Sequence, residues 1–122
     1  MATVLIADNH AEVRRALAAL VTQCGHHVVC AATGQEAIWL LDARAVDLVL
    51  LDVIMPDMGG PEVLRAIREQ ASTADLPVVM YGTGAGTALR DRLMSKGAND
   101  YWGNGSLQPR QLRERLKEYL PC

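Results

Sequence analysis

Two aspartates each follow a short apolar run of the kind that forms a buried strand. Asp8 comes directly after residues 4–7, and Asp52 comes directly after residues 48–51. If these strands are neighbours in a parallel sheet, roughly 5 Å apart, their carboxylates converge at one edge of the sheet. Two adjacent carboxylates repel each other unless one is protonated or a cation such as Mg²⁺ lies between them. The pairing predicts a cation site, although either aspartate alone is more typical of a turn or a helix N-cap.

The elements that must position these aspartates alternate along the chain. Short apolar runs are followed by helical patterns, which is typical of a parallel sheet covered by helices. Strands are predicted over residues 4–7, 28–32, 48–51, 78–81 and 98–102. Helix starts or ends are marked by Gly25, Thr33, Pro61, Gly97 and Pro109. The pattern predicts an α/β, three-layer (βα)5 fold of the flavodoxin-like class, with strand order 2-1-3-4-5 and one domain over residues 1–122.

Composition excludes several classes of function. The length of 122 residues suits one domain of about 100 to 150 residues. Lys plus Arg (12) nearly balances Asp plus Glu (14), so no overall field favours nucleic acid or a membrane as partner. Residues 4–7 are too short for a signal peptide or a membrane span. We expect a cytoplasmic protein with reduced cysteines, Cys24 and Cys30 being packed in the interior.

The loops after the fourth and fifth strands are rich in glycine. Backbone N–H groups at the helix start after residues 82–86 could hold phosphate, so nucleotide or flavin binding stays open as a remote alternative. The loop has neither G-x-G-x-x-G spacing nor a P-loop lysine, which disfavours that alternative. His10 stands close to Asp8 and could act as a ligand or base, although a surface loop histidine is the simpler interpretation.

Three segments carry a family resemblance. The sequence LVLLDVIMPDMGGPEVLRAIR, residues 48–68, resembles the stretch around the phosphoacceptor aspartate of bacterial two-component response regulator receiver domains. The opening TVLIADNH resembles the acidic turn after the first strand of that family, and KGANDY, residues 96–101, resembles its approach to the fifth strand. The resemblance implies a signalling domain, not an enzyme, in which Asp52 accepts a phosphoryl group from a histidine kinase, a phosphotransfer protein or a small phosphodonor.

The resemblance also implies roles for individual residues. Asp8, Asp52 and the backbone carbonyl of Ile54 would hold Mg²⁺, which would neutralise the phosphoryl oxygens. Tyr101 falls on the aromatic position whose rotation signals phosphorylation in the family. A half-buried strand aromatic is the alternative interpretation of Tyr101.

Three positions depart from the family pattern. Asn9 replaces the second acid, which should weaken metal binding. Gly82 stands where the hydroxyl sensor is expected, and Thr83 could substitute only if the loop slipped by one residue. Asn104 replaces the family lysine, and loss of such a donor slows transfer on the order of a hundredfold. Because an acid and a base are lost together, the formal charge of the pocket is unchanged and Mg²⁺ binding remains reasonable.

Two functions therefore stay open. The first is a receiver that is phosphorylated on Asp52 and signals through its fourth and fifth strands to a protein target, a fused output domain or a second copy of itself. The second is a pseudo-receiver, an interaction module that works without phosphate. The complete motif around Asp52 favours the first, whereas Gly82 and Asn104 favour the second. No helix-turn-helix is recognised, so direct contact with nucleic acid is not expected.

Overall fold

A parallel five-stranded sheet forms the centre of the protein, whose computed structural model describes residues 1–82, 87–103 and 108–120. The strands are β1 (Thr3–Ala7), β2 (His27–Ala31), β3 (Leu48–Asp52), β4 (Val78–Tyr81) and β5 (Asp100–Trp102). Their order is β2-β1-β3-β4-β5, which confirms the predicted order. Because β1 and β3 are neighbours, with Ala7 opposite Leu51, the residues that follow them leave the sheet side by side.

Helices cover both faces of this sheet. Within the described residues they are α1 (Ala11–Gln23), α2 (Gly34–Ala43), α3 (Gly60–Glu69), α4 (Thr87–Ser95) and α5 (Pro109–Leu116). One apolar cluster lies between the sheet and α2, α3 and α4, and the other lies between the sheet and α1 and α5. Every residue of β3 is buried, as expected for a central strand with helices on both sides. No helix in the described ranges has the length and apolar character needed to cross a membrane.

The helix ends follow the predicted turn chemistry. Gly25 and Gly97 have φ values of +89° and +109°, a left-handed conformation that glycine adopts without strain after a helix. The Thr33 side chain accepts a hydrogen bond of 3.1 Å from the backbone N–H of Glu36, which caps α2. The Glu36 carboxylate accepts in return from the N–H of Ala32 at 3.1 Å. The capping contacts fix the start of α2 after β2, and the two glycines follow the ends of α1 and α4.

The predicted burial of two cysteines is wrong, although both are free thiols as expected. Cys30 is exposed and Cys24 is only partly buried, whereas both were expected in the interior. Cys30 lies on β2, which is an edge strand, and side chains on an edge strand are covered by fewer neighbouring elements. The predicted fifth strand is also too long, since residues 98 and 99 precede β5. The Asn99 side chain instead accepts a hydrogen bond of 2.8 Å from the N–H of Val78, the first residue of β4.

Arg68 of α3 joins two loops at the amino-terminal edge of the sheet, residues 70–77 before β4 and residues 96–99 before β5. Its Nε donates to the carbonyl of Gly97 at 3.0 Å, and its Nη1 donates to the carbonyls of Leu76 and Thr73 at 2.7 and 3.3 Å. Its Nη2 donates to the side-chain oxygen of Asn99 at 3.0 Å. A charged donor that serves four acceptors contributes more than an exposed ion pair.

We expect Arg68→Ala to lower the free energy of unfolding by about 1.5 kcal/mol, because it leaves several carbonyls without their donor. Arg65→Ala is the matched control, since Arg65 is exposed on the same helix and lies 3.7 Å from Glu69. That change should cost less than about 0.5 kcal/mol. Urea unfolding of both variants measures the difference. Equal losses of stability would show that the Arg68 hydrogen bonds contribute no more than an exposed ion pair.

Candidate functional site

The carboxyl-terminal edge of the sheet brings Asp8 and Asp52 together. Asp8 follows β1, Asp52 ends β3, and both side chains lie on the sheet face that α1 and α5 cover. Asp8 is 1% exposed and Asp52 is 7% exposed. One carboxylate oxygen of each and a ring nitrogen of His10 all lie within 4.8 Å of one another. The convergence follows from strand order and from the alternation of side chains along a strand.

Asp8 is held from several sides. Its Oδ1 accepts from the N–H of His10 at 2.8 Å and lies 3.0 Å from Nδ1 of the same residue. Its Oδ2 accepts from the hydroxyl of Tyr81 at 2.7 Å, and its backbone carbonyl accepts from Nη1 of Arg14 at 2.6 Å. Burial and the Asp8 contact raise the pKa of Tyr81 strongly, so this hydroxyl remains a donor. The Asp8 carboxylate is therefore fixed in orientation.

Asp52 has one fixed oxygen and one that faces the histidine. Oδ1 accepts from the N–H of Ile54 at 3.3 Å, whereas Oδ2 lies 4.0 Å from Nδ1 of His10. Burial, and secondarily the charge of Asp8, raises the pKa of Asp52 to about 6. The carboxyl is thus mainly ionised at pH 7, next to a second carboxylate, and a cation placed between them would relieve the repulsion.

A cavity of about 300 Å³ opens over these carboxylates. Its lining residues are Asp8, His10, Val13, Asp52, Ile54, Tyr81 and Gly82. Gly82 leaves room on the Asp52 side, because a Cβ built there would lie 3.6 Å from Oδ1 of Asp52 and 3.5 Å from Val53. The site therefore combines two acidic groups, an imidazole and open space.

The other predicted site residues differ in exposure. The side chain of Ile54 is 68% exposed, and Asn9 is also exposed. Tyr101 is 7% exposed and packs in the apolar cluster beneath α2, α3 and α4, so it is more deeply buried than a half-buried strand aromatic. Thr83 and Asn104 lie outside the described residues, as does the rest of the glycine-rich loop 83–86.

Two residues contribute more to this site than the sequence pattern predicts. His10 has the high exposure expected of a surface loop histidine, 67% for its side chain, yet its Nδ1 faces both carboxylates. The apolar pattern predicts only a strand position for Tyr81, although Tyr81 is the last residue of β4 and pairs in register with Asp52. The register was the available signal for Tyr81, since paired residues on neighbouring strands point to the same face of the sheet.

The strand order, the helix layers and the acidic cavity at the switch point of the sheet define a receiver domain. The family model described as the response regulator receiver domain matches residues 4–117, nearly the whole chain. This chain therefore belongs to the response regulator receiver domain family. Domains of this family are generally signalling modules and not enzymes, and they typically bind Mg²⁺.

Individual relatives agree with this assignment. The chain is 33% identical over 121 residues to a probable transcriptional regulator ycf27 of Cyanidium caldarium, covering 95% of this chain and 45% of that protein. It is 30% identical over 118 residues to the phosphate regulon transcriptional regulatory protein PhoB of Pseudomonas aeruginosa, covering 97% of this chain and 51% of PhoB. The chain thus spans about half the length of these curated relatives.

A solved structure is similar over its full length. The chemotaxis response regulator CheY4 of Vibrio cholerae superposes with a TM-score of 0.91 at 28% sequence identity. The match covers 98% of this chain and 99% of CheY4. The likeness supports the predicted flavodoxin-like fold over the whole domain.

Proposed function

We propose that this chain accepts a phosphoryl group on Asp52, with Mg²⁺ bound beside it, and transmits the signal through protein contacts. The observation that carries the proposal is the Asp52 carboxylate, 7% exposed, at the floor of a cavity of about 300 Å³ and next to Asp8. A buried carboxylate that is ionised and faces open space can act as a nucleophile toward phosphorus. Membership in the receiver family supports the same chemistry.

The donor set suits Mg²⁺. Asp8, Asp52 and the backbone carbonyl of Ile54 would hold the ion, and the exposed amide of Asn9 would add a weaker, uncharged ligand. All of these are oxygen ligands of the kind that Mg²⁺ prefers. When bound, Mg²⁺ supplies the positive charge that neutralises the oxygens of the phosphoryl group.

The orientation of Asp52 supports Oδ1 as the attacking atom. Oδ2 lies on the His10 side, 4.0 Å from Nδ1, and Oδ1 lies toward the open space at Gly82. In the proposed transfer Oδ1 attacks phosphorus, a new O–P bond forms, and the bond from phosphorus to the donor breaks. The electron pair of that bond leaves with the donor, which is a carboxylate for acetyl phosphate or the imidazole nitrogen of a kinase histidine.

The partners follow from this chemistry. We propose a cytoplasmic histidine kinase or phosphotransfer protein as donor, and a protein target, a fused output domain or a second copy of the chain as receiver of the signal. The relatives ycf27 and PhoB are named as transcriptional regulators and are about twice as long as this chain, which supports an output carried by a further domain or protein. No direct contact of this single domain, residues 1–122, with nucleic acid or membrane is proposed.

The proposed output surface comprises α4, β5 and α5. Asp100 of β5 accepts from Nη1 of Arg90 on α4 at 2.8 Å, and it lies 3.7 Å from Nη1 of Arg115 on α5. Its second oxygen accepts from Nε1 of Trp102 at 3.1 Å. One carboxylate thus links all three elements into a single surface.

A pseudo-receiver that works without phosphate is the second candidate. The observation that favours it is Gly82, which offers no side chain beside Asp52. Asn104 in place of the family lysine favours it as well. A pseudo-receiver binds its partner equally well before and after treatment with a phosphodonor, whereas the first candidate does not.

Intact mass spectrometry after incubation with acetyl phosphate and Mg²⁺ tests the proposal. We expect the mass of one added phosphoryl group in the wild type, and no added mass in Asp52→Asn. Asp42→Asn is the matched control, because Asp42 is an exposed aspartate outside the site, and its adduct should equal that of the wild type. No adduct on the wild type, while a known receiver is labelled in parallel, would reject the proposal and favour the pseudo-receiver.

Gly82→Ser should restore a hydroxyl to the site without disturbing the fold. A Cβ at this position makes only ordinary contacts of 3.5 to 3.6 Å, and the added hydroxyl would face the open space beside Asp52. We expect binding of beryllofluoride, a phosphoryl analogue, to tighten about fivefold through one additional hydrogen bond. Gly82→Ala adds the same Cβ without a donor, so an equal gain in both variants would show that the hydroxyl has no role.

A further inference from the structure

We propose that His10 is a metal ligand and that its imidazole shifts the cation preference of this site from Mg²⁺ toward first-row transition ions such as Co²⁺ and Zn²⁺. His10 acts at the cation site on which the proposed function rests. Among Asp8, His10 and Asp52, which form the candidate cluster in the described residues, only His10 offers a side-chain nitrogen as ligand. The preference of the site then differs from that of a receiver whose ligands are all oxygens.

The distances fit a shared ion. Nδ1 of His10 lies 3.0 Å from Oδ1 of Asp8 and 4.0 Å from Oδ2 of Asp52. Ligand atoms about 2.1 Å from one octahedral ion are about 3 Å apart when adjacent and about 4 Å apart when opposite. The three side chains therefore need only small shifts to enclose an ion. An ion between His10 and Asp8 would replace their direct contact.

Asp8 has hydrogen-bond partners of the kind that orient metal-ligating carboxylates. The buried Tyr81 hydroxyl holds Oδ2, and Arg14 holds the backbone carbonyl at 2.6 Å. Hydrogen bonds of this kind fix the orientation of ligating carboxylates. The N–H of His10 donates to Oδ1 of Asp8 at 2.8 Å, so the backbone of the turn itself directs the imidazole to the site. The imidazole is 67% exposed and can adjust without disturbing the core.

The chemistry of the ligands sets the preference. Asn9 provides a neutral amide where a further carboxylate would favour hard cations. An imidazole nitrogen adds little for Mg²⁺, which keeps oxygen ligands and water, but it binds Co²⁺ and Zn²⁺ well. A set of two carboxylates and one imidazole with positions left open for water is therefore selective for transition ions.

Titration with Co²⁺, followed by its visible absorption, and titration with Mg²⁺, followed by calorimetry, test the role of His10. We expect His10→Asn to weaken Co²⁺ binding at least about tenfold and Mg²⁺ binding less than about threefold. His27→Asn is the matched control, because His27 is exposed on β2 and belongs to the opposite end of the strand from the site. That control should change neither affinity.

A second measurement reports on the nitrogen itself. In two-dimensional proton–nitrogen spectra, Zn²⁺ should shift the Nδ1 resonance of His10 and leave those of His26 and His27 in place. An unchanged Co²⁺ affinity in His10→Asn, an unshifted Nδ1, or equal losses for Co²⁺ and Mg²⁺ would each overturn the proposal. Circular dichroism of the metal-free variant verifies its fold. Labelling of Asp52 by acetyl phosphate is measured separately, so a failure of phosphorylation is distinguishable from a failure of metal selectivity.

Discussion

Gly60→Ala is expected to lower the free energy of unfolding by about 3 kcal/mol and to displace the backbone that carries Asp52. A Cβ at position 60 would overlap the backbone carbonyl of Asp52, and it would lie 2.8 Å from Cα of Val53 and from Cε of Met80. Two of these three contacts are with backbone, which cannot move aside as a flexible side chain can. The N–H of Gly60 also donates to the carbonyl of Val53 at 2.8 Å, so the start of α3 rests directly on the end of β3.

Its neighbour provides the matched control. A Cβ at Gly59 would meet nothing closer than Cδ of Pro61 at 3.6 Å, and Gly59 has a φ of −66°, which alanine adopts freely. We expect Gly59→Ala to change stability by less than about 1 kcal/mol, since weaker helix capping and lower entropy of the unfolded chain oppose each other. Urea unfolding compares the two. Equal stability of both variants would mean that the close approach at Gly60 is not required.

The central part of the site was predictable because few variables determine it. Asp8 and Asp52 follow apolar runs that only a parallel sheet accommodates, and the crossover rules leave few strand orders. Once β1 and β3 are neighbours, the alternation of side chains sends both carboxylates to one face. The sequence alone therefore predicts that these two groups meet, together with the cavity beyond the strand ends.

The remaining contacts depend on three-dimensional detail that periodicity does not contain. His10 reaches the site because a tight turn lets its N–H donate to Asp8 at 2.8 Å, and such turn geometry is not encoded in an apolar pattern. The sequence pattern predicts only that Tyr81 belongs to an apolar strand. Its hydroxyl is directed to Asp8 by the packing across β3. The exposure of Cys30 likewise depends on how far helices cover an edge strand.

The contacts of Asp8 and Asp52 determine how stable the acidic pocket is. Two buried carboxylates adjoin, and the groups that contact Asp8 include a neutral hydroxyl, a backbone N–H and an imidazole. A hydroxyl and a backbone N–H orient a carboxylate but offset its charge only partly. Burial, and secondarily the charge of Asp8, raises the pKa of Asp52 to about 6. Without an ion, the two carboxylates therefore lower the free energy of unfolding. Either a bound cation or the removal of one charge should raise it.

Asp52→Asn is accordingly expected to stabilise the ion-free protein by about 2 kcal/mol at pH 7. Asp52 ionises near 3.8 in the unfolded chain and near 6 in the folded one, so the folded state holds this proton more tightly. Stability from this group is present at low pH and is lost as the pH rises through about 4 to 6. The full shift corresponds to about 3 kcal/mol, which partial contact with water reduces to about 2.

Urea unfolding in a chelator across pH 5 to 7.5 measures this effect. The difference between Asp52→Asn and the wild type should grow with pH and level off above about pH 6.5, whereas exposed Asp42→Asn should stay near zero throughout. Added Mg²⁺ should then stabilise the wild type and narrow the difference, because the ion binds the folded carboxylates more tightly than the unfolded chain. A difference that is independent of pH would mean that the gain comes from packing of the amide, and that the charge of Asp52 is not the source of the cost.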